Sequence, residues 1–240
     1  MEVIGFWLVI LFALVYEPIF GYRDFQKFKE EVKKNKGARL KFYKSTIICL
    51  GIPTVFILLL VVFTELTFES IGLTLPSINT QPLGPWVTYI VFAVVALYAI
   101  GILYYSVGYH FSGNIRSKLT QAKQKQWENV SFSDLIPVTK KEKKVWNYVS
   151  FTAGVTEEII YRGFLLFALS FLFPDLSIWL VILLASILFG LAHTYQGFVT
   201  GVVRTTIFGI VFSILYIGLG SILPLIVLHF LIDYLAKLGD

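Results

Sequence analysis

The spacing of apolar runs along this chain limits what it can become more than any other feature. Roughly residues 3–20, 45–64, 86–107, 146–172, 176–194, 198–219 and 221–238 reach or approach the twenty or so residues a helix needs to cross a hydrocarbon core. A composition of 57% hydrophobic and 17% aromatic residues, with a mean hydropathy of +0.77, lies far outside the range of a soluble domain. The expected fold is therefore all-α: a polytopic integral membrane helix bundle of about seven transmembrane helices, with six to eight allowed. The first run lacks a basic leading segment and a small-residue cleavage site, and ends at Glu17-Pro18, so it is expected to be a retained span. Cys49 is the single cysteine and sits inside an apolar run, which excludes a disulfide framework or a thiolate zinc site. Any metal would have to rely on histidines and carboxylates.

The net charge of +5 would ordinarily raise the question of nucleic acid. Here the basic residues fall between the apolar runs, where membrane proteins carry them as topology signals, so no nucleic-acid partner is expected. Residues 21–44 hold nine of them (Arg23, Lys27, Lys29, Lys33, Lys34, Lys36, Arg39, Lys41, Lys44). Residues 108–148 hold eight more (Arg116, Lys118, Lys123, Lys125, Lys140, Lys141, Lys143, Lys144), and residues 65–85 hold none. The positive-inside rule puts the two basic connections in the cytoplasm, the amino terminus outside and the carboxyl terminus inside. Phe25 to Val32 alternates apolar and charged residues at loosely helical spacing; a solvated basic loop is the preferred reading over an amphipathic surface helix.

Ionisable residues divide the chain. The first three spans carry almost none away from their ends, Glu17 lying near the cytoplasmic edge, whereas the last four hold Glu157, Glu158, Arg162, His193, Arg204, His229 and Asp233. Residues 1–136 thus read as an amino-terminal three-span region and 137–240 as a four-span core containing any site. A charge inside a span costs about 2.5–3.5 kcal/mol on insertion scales and normally faces a bundle interior or a wet cavity. Taken singly, each of these residues has an ordinary explanation: Glu158 with Arg162 as a helix-tethering ion pair, His229 with Asp233 as an intrahelical pair, His193 as an interfacial residue. Arg204 is expected to snorkel or pair with a carboxylate. Taken together in consecutive helices they ask for a function.

Spacing gives the members unequal jobs. Glu158 and Arg162 stand at i and i+4 in the favourable order for an ion pair, while Glu157 is turned by about 100° and remains free. Phe189 stands four residues before His193, its ring against the imidazole, and His229 and Asp233 project towards one neighbour. Two histidines and two or three carboxylates from three helices can converge on one water molecule or one metal ion. A glutamate beside other carboxylates and a histidine is the equipment of general-base catalysis. No H-E-x-x-H, G-x-G-D or serine-centred motif offers a competing intramembrane protease chemistry.

The sequence Glu157-Glu158-Ile159-Ile160-Tyr161-Arg162, followed by Phe189-x-x-x-His193 and then His229-x-x-x-Asp233, resembles the three ordered motifs of the CPBP family. That family comprises CAAX prenyl protease 2-type intramembrane endopeptidases and the bacteriocin-processing or bacteriocin-immunity proteins also called Abi. The resemblance covers roughly residues 137–238. It implies that Glu157 activates water, that His193 and His229 complete the site, and that Glu158, Arg162 and Phe189 support it. Asp233 stands where the eukaryotic CAAX proteases have Asn, so it is protonated, orients His229, or binds a metal. The cofactor is either Zn2+ on Glu157, His193 and His229 or none, because the same atoms suit both chemistries.

The expected partners are the lipid bilayer and a peptide or protein substrate, lipid-modified or not, in the cell membrane of a bacterium with the site towards its cytoplasmic half. Two rivals from other classes are a non-catalytic bacteriocin immunity or scaffold protein of the same fold and a proton-coupled transporter, the latter disfavoured by the lack of an inverted repeat. One mismatch of depth needs an answer. Glu157 lies about 11 residues, or roughly 17 Å, into its span, whereas His193 is near the cytoplasmic end of its own. Either the fourth span begins in the cytoplasm before Trp146, or the turn from His193 to Gly197 is sunk into the bundle.

Overall fold

The structure, a computed structural model, describes residues 2–127, 130 and 132–238. These residues form helices, with no strand among those described. We label the helices α1 (Glu2–Val32), α2 (Ala38–Phe63), α3 (Pro85–Phe111), α4 (Gly113–Trp127), α5 (140–172), α6 (Ile178–Ala192), α7 (Phe198–Leu219) and α8 (Leu223–Ala236). Every apolar run expected to span the membrane lies on one of them. Four, α1, α2, α3 and α7, are long and apolar enough to cross a membrane; α6 and α8 are shorter apolar helices. The α5 helix carries Glu157, Glu158 and Arg162 and is not among those four.

Lipid replaces water as the solvent for the outer faces. Phe63, Trp86, Leu97 and Phe111 are each more than two-thirds exposed on the bundle surface, an arrangement that only a hydrocarbon environment tolerates. Because lipid tails are as apolar as leucine, burial alone does not drive these helices together, and close approach falls to small residues and polar groups. Gly154 on α5 shows this. A Cβ there would stand 3.1 Å from the Ile226 carbonyl oxygen and 3.2 Å from the Phe230 nitrogen, so α5 and α8 meet backbone to backbone one turn from Glu158 and beside His229.

Residues 22–32 correct the sequence reading. They are the helical continuation of α1, with Phe25 and Phe28 buried, not a solvated basic loop. Phe25 packs against Phe42 and Tyr195, and Phe28 stacks on Phe42 at 4.5 Å, so the apolar side of an otherwise charged helix has an aromatic partner. Much of the second basic connection is helix as well. From α4, Lys123 Nζ donates to the carbonyls of Leu235 at 2.5 Å and Ala236 at 2.6 Å, satisfying the free end of α8.

The start of α5 resolves the mismatch of depth. Its first residue is Lys140, six residues before Trp146, so the helix begins ahead of the apolar run, as the first alternative requires. Thr139 is the N-cap, its hydroxyl accepting from the Glu142 amide at 3.2 Å. The Glu142 carboxylate in return accepts from the Thr139 and Val138 amides at 2.7 and 2.9 Å, a complete capping box. At the opposite end, residues 65–84 fold over the helix ends. Ser77 and Asn79 donate to the Leu219 and Gly218 carbonyls, and Ile222 to Gly72, at 2.8–2.9 Å. Three helices also contain π-helical stretches, at Phe12–Gly21, Glu158–Leu165 and Phe198–Val203.

Two measurements test this account. Burial pushes the Glu142 carboxyl up, but the amide hydrogen bonds from Thr139 and Val138 outweigh it and hold the group below its ordinary value. Its stabilising contribution is therefore complete above the unfolded pKa of about 4.3 and lost as pH falls through the lower folded value. Acid titration of the thermal midpoint in detergent should show a loss in the parent that Glu142→Gln lacks; identical profiles contradict the cap. Gly154→Val should cost about 1–3 kcal/mol by overpacking, read as a lowered thermal midpoint, while Gly51→Val, with open space around its added atoms, should change little.

Candidate active site

The centre of the site is a fully buried ion pair within one helix. Arg162 Nη1 donates to Glu158 Oε1 at 3.0 Å, with the two side chains 1% and 0% exposed. Arg162 is also covered by aromatic faces, its guanidinium carbon 4.1 Å from the Phe189 ring centroid and 5.2 Å from that of Phe212. Ring quadrupoles contribute roughly 2 kcal/mol to a desolvated cation, and here they lie beside a guanidinium whose Nη2 has no hydrogen-bond partner among the described residues. Phe189 thus serves Arg162 as well as His193, which it meets edge-on at 4.9 Å rather than face to face.

The ion pair reaches a second helix through Glu158. His229 Nδ1 lies 2.7 Å from Glu158 Oε1, the same oxygen that takes Arg162. A carboxylate only accepts, so Nδ1 carries the proton and donates it, leaving Nε2 as the working nitrogen. Nε2 lies 3.8 Å from Glu157 Oε2 and 4.0 Å from Asp233 Oδ2. Both separations exceed a direct hydrogen bond and match a bridging water. The orienting of His229, one of the roles open to Asp233, is thus carried by Glu158, and Asp233 sits with Glu157 on the other side of the ring. Glu157 Oε2 is buried without a hydrogen-bond partner among the described residues.

His193 ends α6 and enters a 3₁₀ turn, Thr194–Gln196. Its Nδ1 faces the Phe189 carbonyl at 2.9 Å, which as an acceptor fixes the proton on Nδ1 and leaves Nε2 for the cavity. The turn is half-buried and tied to the first helix by Thr194 Oγ1 donating to the Pro18 carbonyl at 3.3 Å. Gly201 lies against the His193 carbonyl so closely that any Cβ would collide with it. Arg204 is exposed and donates from Nη2 to Gln196 Oε1 at 3.2 Å, with no carboxylate partner among the described residues.

Glu157, His193, His229 and Asp233 all line one cavity of about 560 Å3, with Glu158 and Arg162 behind its wall. The site expected from sequence is thus brought together. Among the described residues, however, no group of three or more histidine, cysteine, aspartate or glutamate side chains is placed to hold a metal ion. Each histidine has its Nδ1 held by an acceptor, leaving Nε2 as the one nitrogen it could offer a metal, but Glu157, His193 and His229 as placed do not form a three-ligand zinc set.

Sequence reasoning missed three contributors. Glu17, on the π-helical stretch of α1, lines the same cavity as Glu157, and so do the aromatic residues Tyr161 and Tyr195. The available signal for Glu17 was an acid followed by Pro18 in the middle of an apolar helix.

The helical bundle, apolar on its outer faces, thus encloses a glutamate, an oriented histidine and a cavity. Residues 144–235 match the family model described as Type II CAAX prenyl endopeptidase Rce1-like, and that stretch holds all three motifs. No curated protein and no solved structure matches the chain.

The buried pair makes an asymmetric prediction. Removing one partner from a buried pair costs about 3–5 kcal/mol because the other charge is stranded, whereas removing both costs much less. Arg162→Met should therefore lower the thermal midpoint more than the double variant Glu158→Gln with Arg162→Met; a double variant at least as unstable as the single one contradicts the pairing.

Proposed function

We propose that this protein is an intramembrane endopeptidase in which Glu157 is the general base for an attacking water and His229 shares its positioning. The observation that carries this reading is the 3.8 Å separation between Glu157 Oε2 and His229 Nε2, with Asp233 Oδ2 4.0 Å from the same nitrogen. A water placed between them is polarised from two sides. Its oxygen attacks the peptide carbonyl carbon while its proton passes to Glu157. The C–O bond forms, the carbonyl becomes an oxyanion, and collapse breaks the C–N bond as Glu157 returns the proton to the leaving amine. His193, with its proton on Nδ1, offers Nε2 as an acceptor to the hydroxyl of the intermediate from the opposite helix. Asp233, facing the working side of His229, assists in its protonated form by donating to the oxyanion.

The support for a peptide substrate is the cavity itself, mostly apolar with a few convergent polar groups. Its lining includes Asp24, Lys123, Leu135, Ile136 and Ala236, from or beside the basic connections, so we read the opening as cytoplasmic.

Purified protein in lipid should cleave a quenched peptide library, with Glu157→Gln and His229→Ala each losing roughly 10²–10⁴-fold in kcat/KM, the range for removal of a general base. Undiminished cleavage by both would move the reading to a binding or immunity protein of the same fold.

A further inference from the structure

Glu17 belongs to the half of the chain that carries no family signature, yet its carboxylate reaches the same cavity as the catalytic candidates. The π-helical stretch Phe12–Gly21 packs against α6 and against the turn that presents His193, where Thr194 holds the Pro18 carbonyl. Glu17 interacts electrostatically with Glu157. Its Oε2 lies over Gly21, where an added Cβ would stand 3.7 Å away, so the side chain runs along its own helix into space that a larger residue would take.

Glu17 is half-buried, and among the described residues it makes no hydrogen bond and no ion pair. Arg204, which also lines the cavity, is engaged with Gln196. A half-buried carboxylate inside a bundle is costly unless something meets it, and the mechanism above assigns it no step. Its surroundings suit a cation. Tyr16, Tyr98 and Tyr195 line the cavity with it, and towards the opening the other acid in the lining, Asp24, is already paired with Lys27 at 3.3 Å, so Glu17 is the acid there left for a ligand.

We propose that Glu17 is a specificity-determining residue of this cavity, receiving the cationic side chain of a lysine or arginine near the bond to be cleaved. The inference rests on the reading of the cavity as a peptide site. A basic side chain would form a charge-assisted hydrogen bond with Glu17 while the apolar remainder of the peptide lies along the apolar wall. The water-activating groups on α5 and α8 are then left free for the scissile carbonyl.

The test uses the full chain in nanodiscs and separates binding from cleavage. Short apolar peptides, N-acetylated and carrying a single lysine, norleucine or glutamate at each position in turn, compete for binding to the Glu157→Gln protein. The lysine peptides should bind about tenfold more tightly than norleucine peptides at one position, the size expected of one charge-assisted hydrogen bond. Adding Glu17→Gln should erase that preference, and adding Glu17→Lys should turn it towards glutamate, with norleucine affinity unchanged as the check on folding.

A lysine preference that survives Glu17→Gln, or no preference in the parent, or no binding at all, overturns the assignment. So does a preference seen only when the amino terminus is left free, which would assign Glu17 to a terminal amine. The endopeptidase reading is scored apart, by cleavage of the same peptides with Glu157 intact. Binding preference without cleavage sinks that reading and leaves this one; cleavage without preference does the reverse.

Discussion

One carboxylate oxygen, Glu158 Oε1, organises the core of this bundle. It accepts from Arg162 on its own helix and from His229 on α8, at 3.0 and 2.7 Å. An ion pair at this depth has no water to fall back on, so each charge must be met by the protein or the helix does not stay in lipid. Arg162 is met by Glu158 and by the rings of Phe189 and Phe212, which come from α6 and α7. The pair therefore draws three other helices towards α5. In a solvent where burying leucine against leucine gains little, such polar convergence is a main source of specific association.

The same arrangement divides the two adjacent glutamates. Glu158 is spent on structure and on fixing the protonation of His229, and this frees the His229 Nε2 to face Glu157 and Asp233. Had Asp233 held Nδ1, the imidazole would turn its other edge and Glu157 would face a different hydrogen-bonding group. Structure and chemistry thus share residues: the group that holds the helices together also sets which nitrogen works. Gly154 completes this, because only a residue without a side chain lets α5 and α8 approach closely enough for Glu158 to reach His229.

Much of this was legible in the sequence, for identifiable reasons. Apolar run length set the helices, and the i,i+4 spacing of Glu158 and Arg162 announced the pair, because both depend on local periodicity alone. The Phe25–Val32 segment was misread since its charges dominate its composition, while the aromatic partner that makes it helical, Phe42, lies on the next helix. The role of Glu158 towards His229 was hidden for a similar reason. It joins residues 71 positions apart, and no spacing rule reaches across that distance. The start of α5 was hidden too, because run lengths do not show a helix that begins at a capping box six residues ahead of its apolar stretch.

The π-helical stretches explain why helical-wheel reasoning located the pair but not the whole cavity. All three, at Phe12–Gly21, Glu158–Leu165 and Phe198–Val203, contribute to or adjoin its wall: Glu17 from the first, Tyr161 from the second, and Arg204 directly after the third. A widened turn shifts the phase of every later side chain relative to an ideal helix, and such turns concentrate at functional sites. It also loosens the backbone ladder, which is tolerated in a membrane only where the freed groups are buried in protein or line a cavity. The first helix thus belongs to the site by the same backbone device as α5 and α7, although its sequence shares no motif with them. A carboxylate carried there is better explained by the cavity than by the lipid, because the amino-terminal half of the chain supplies part of the cavity wall.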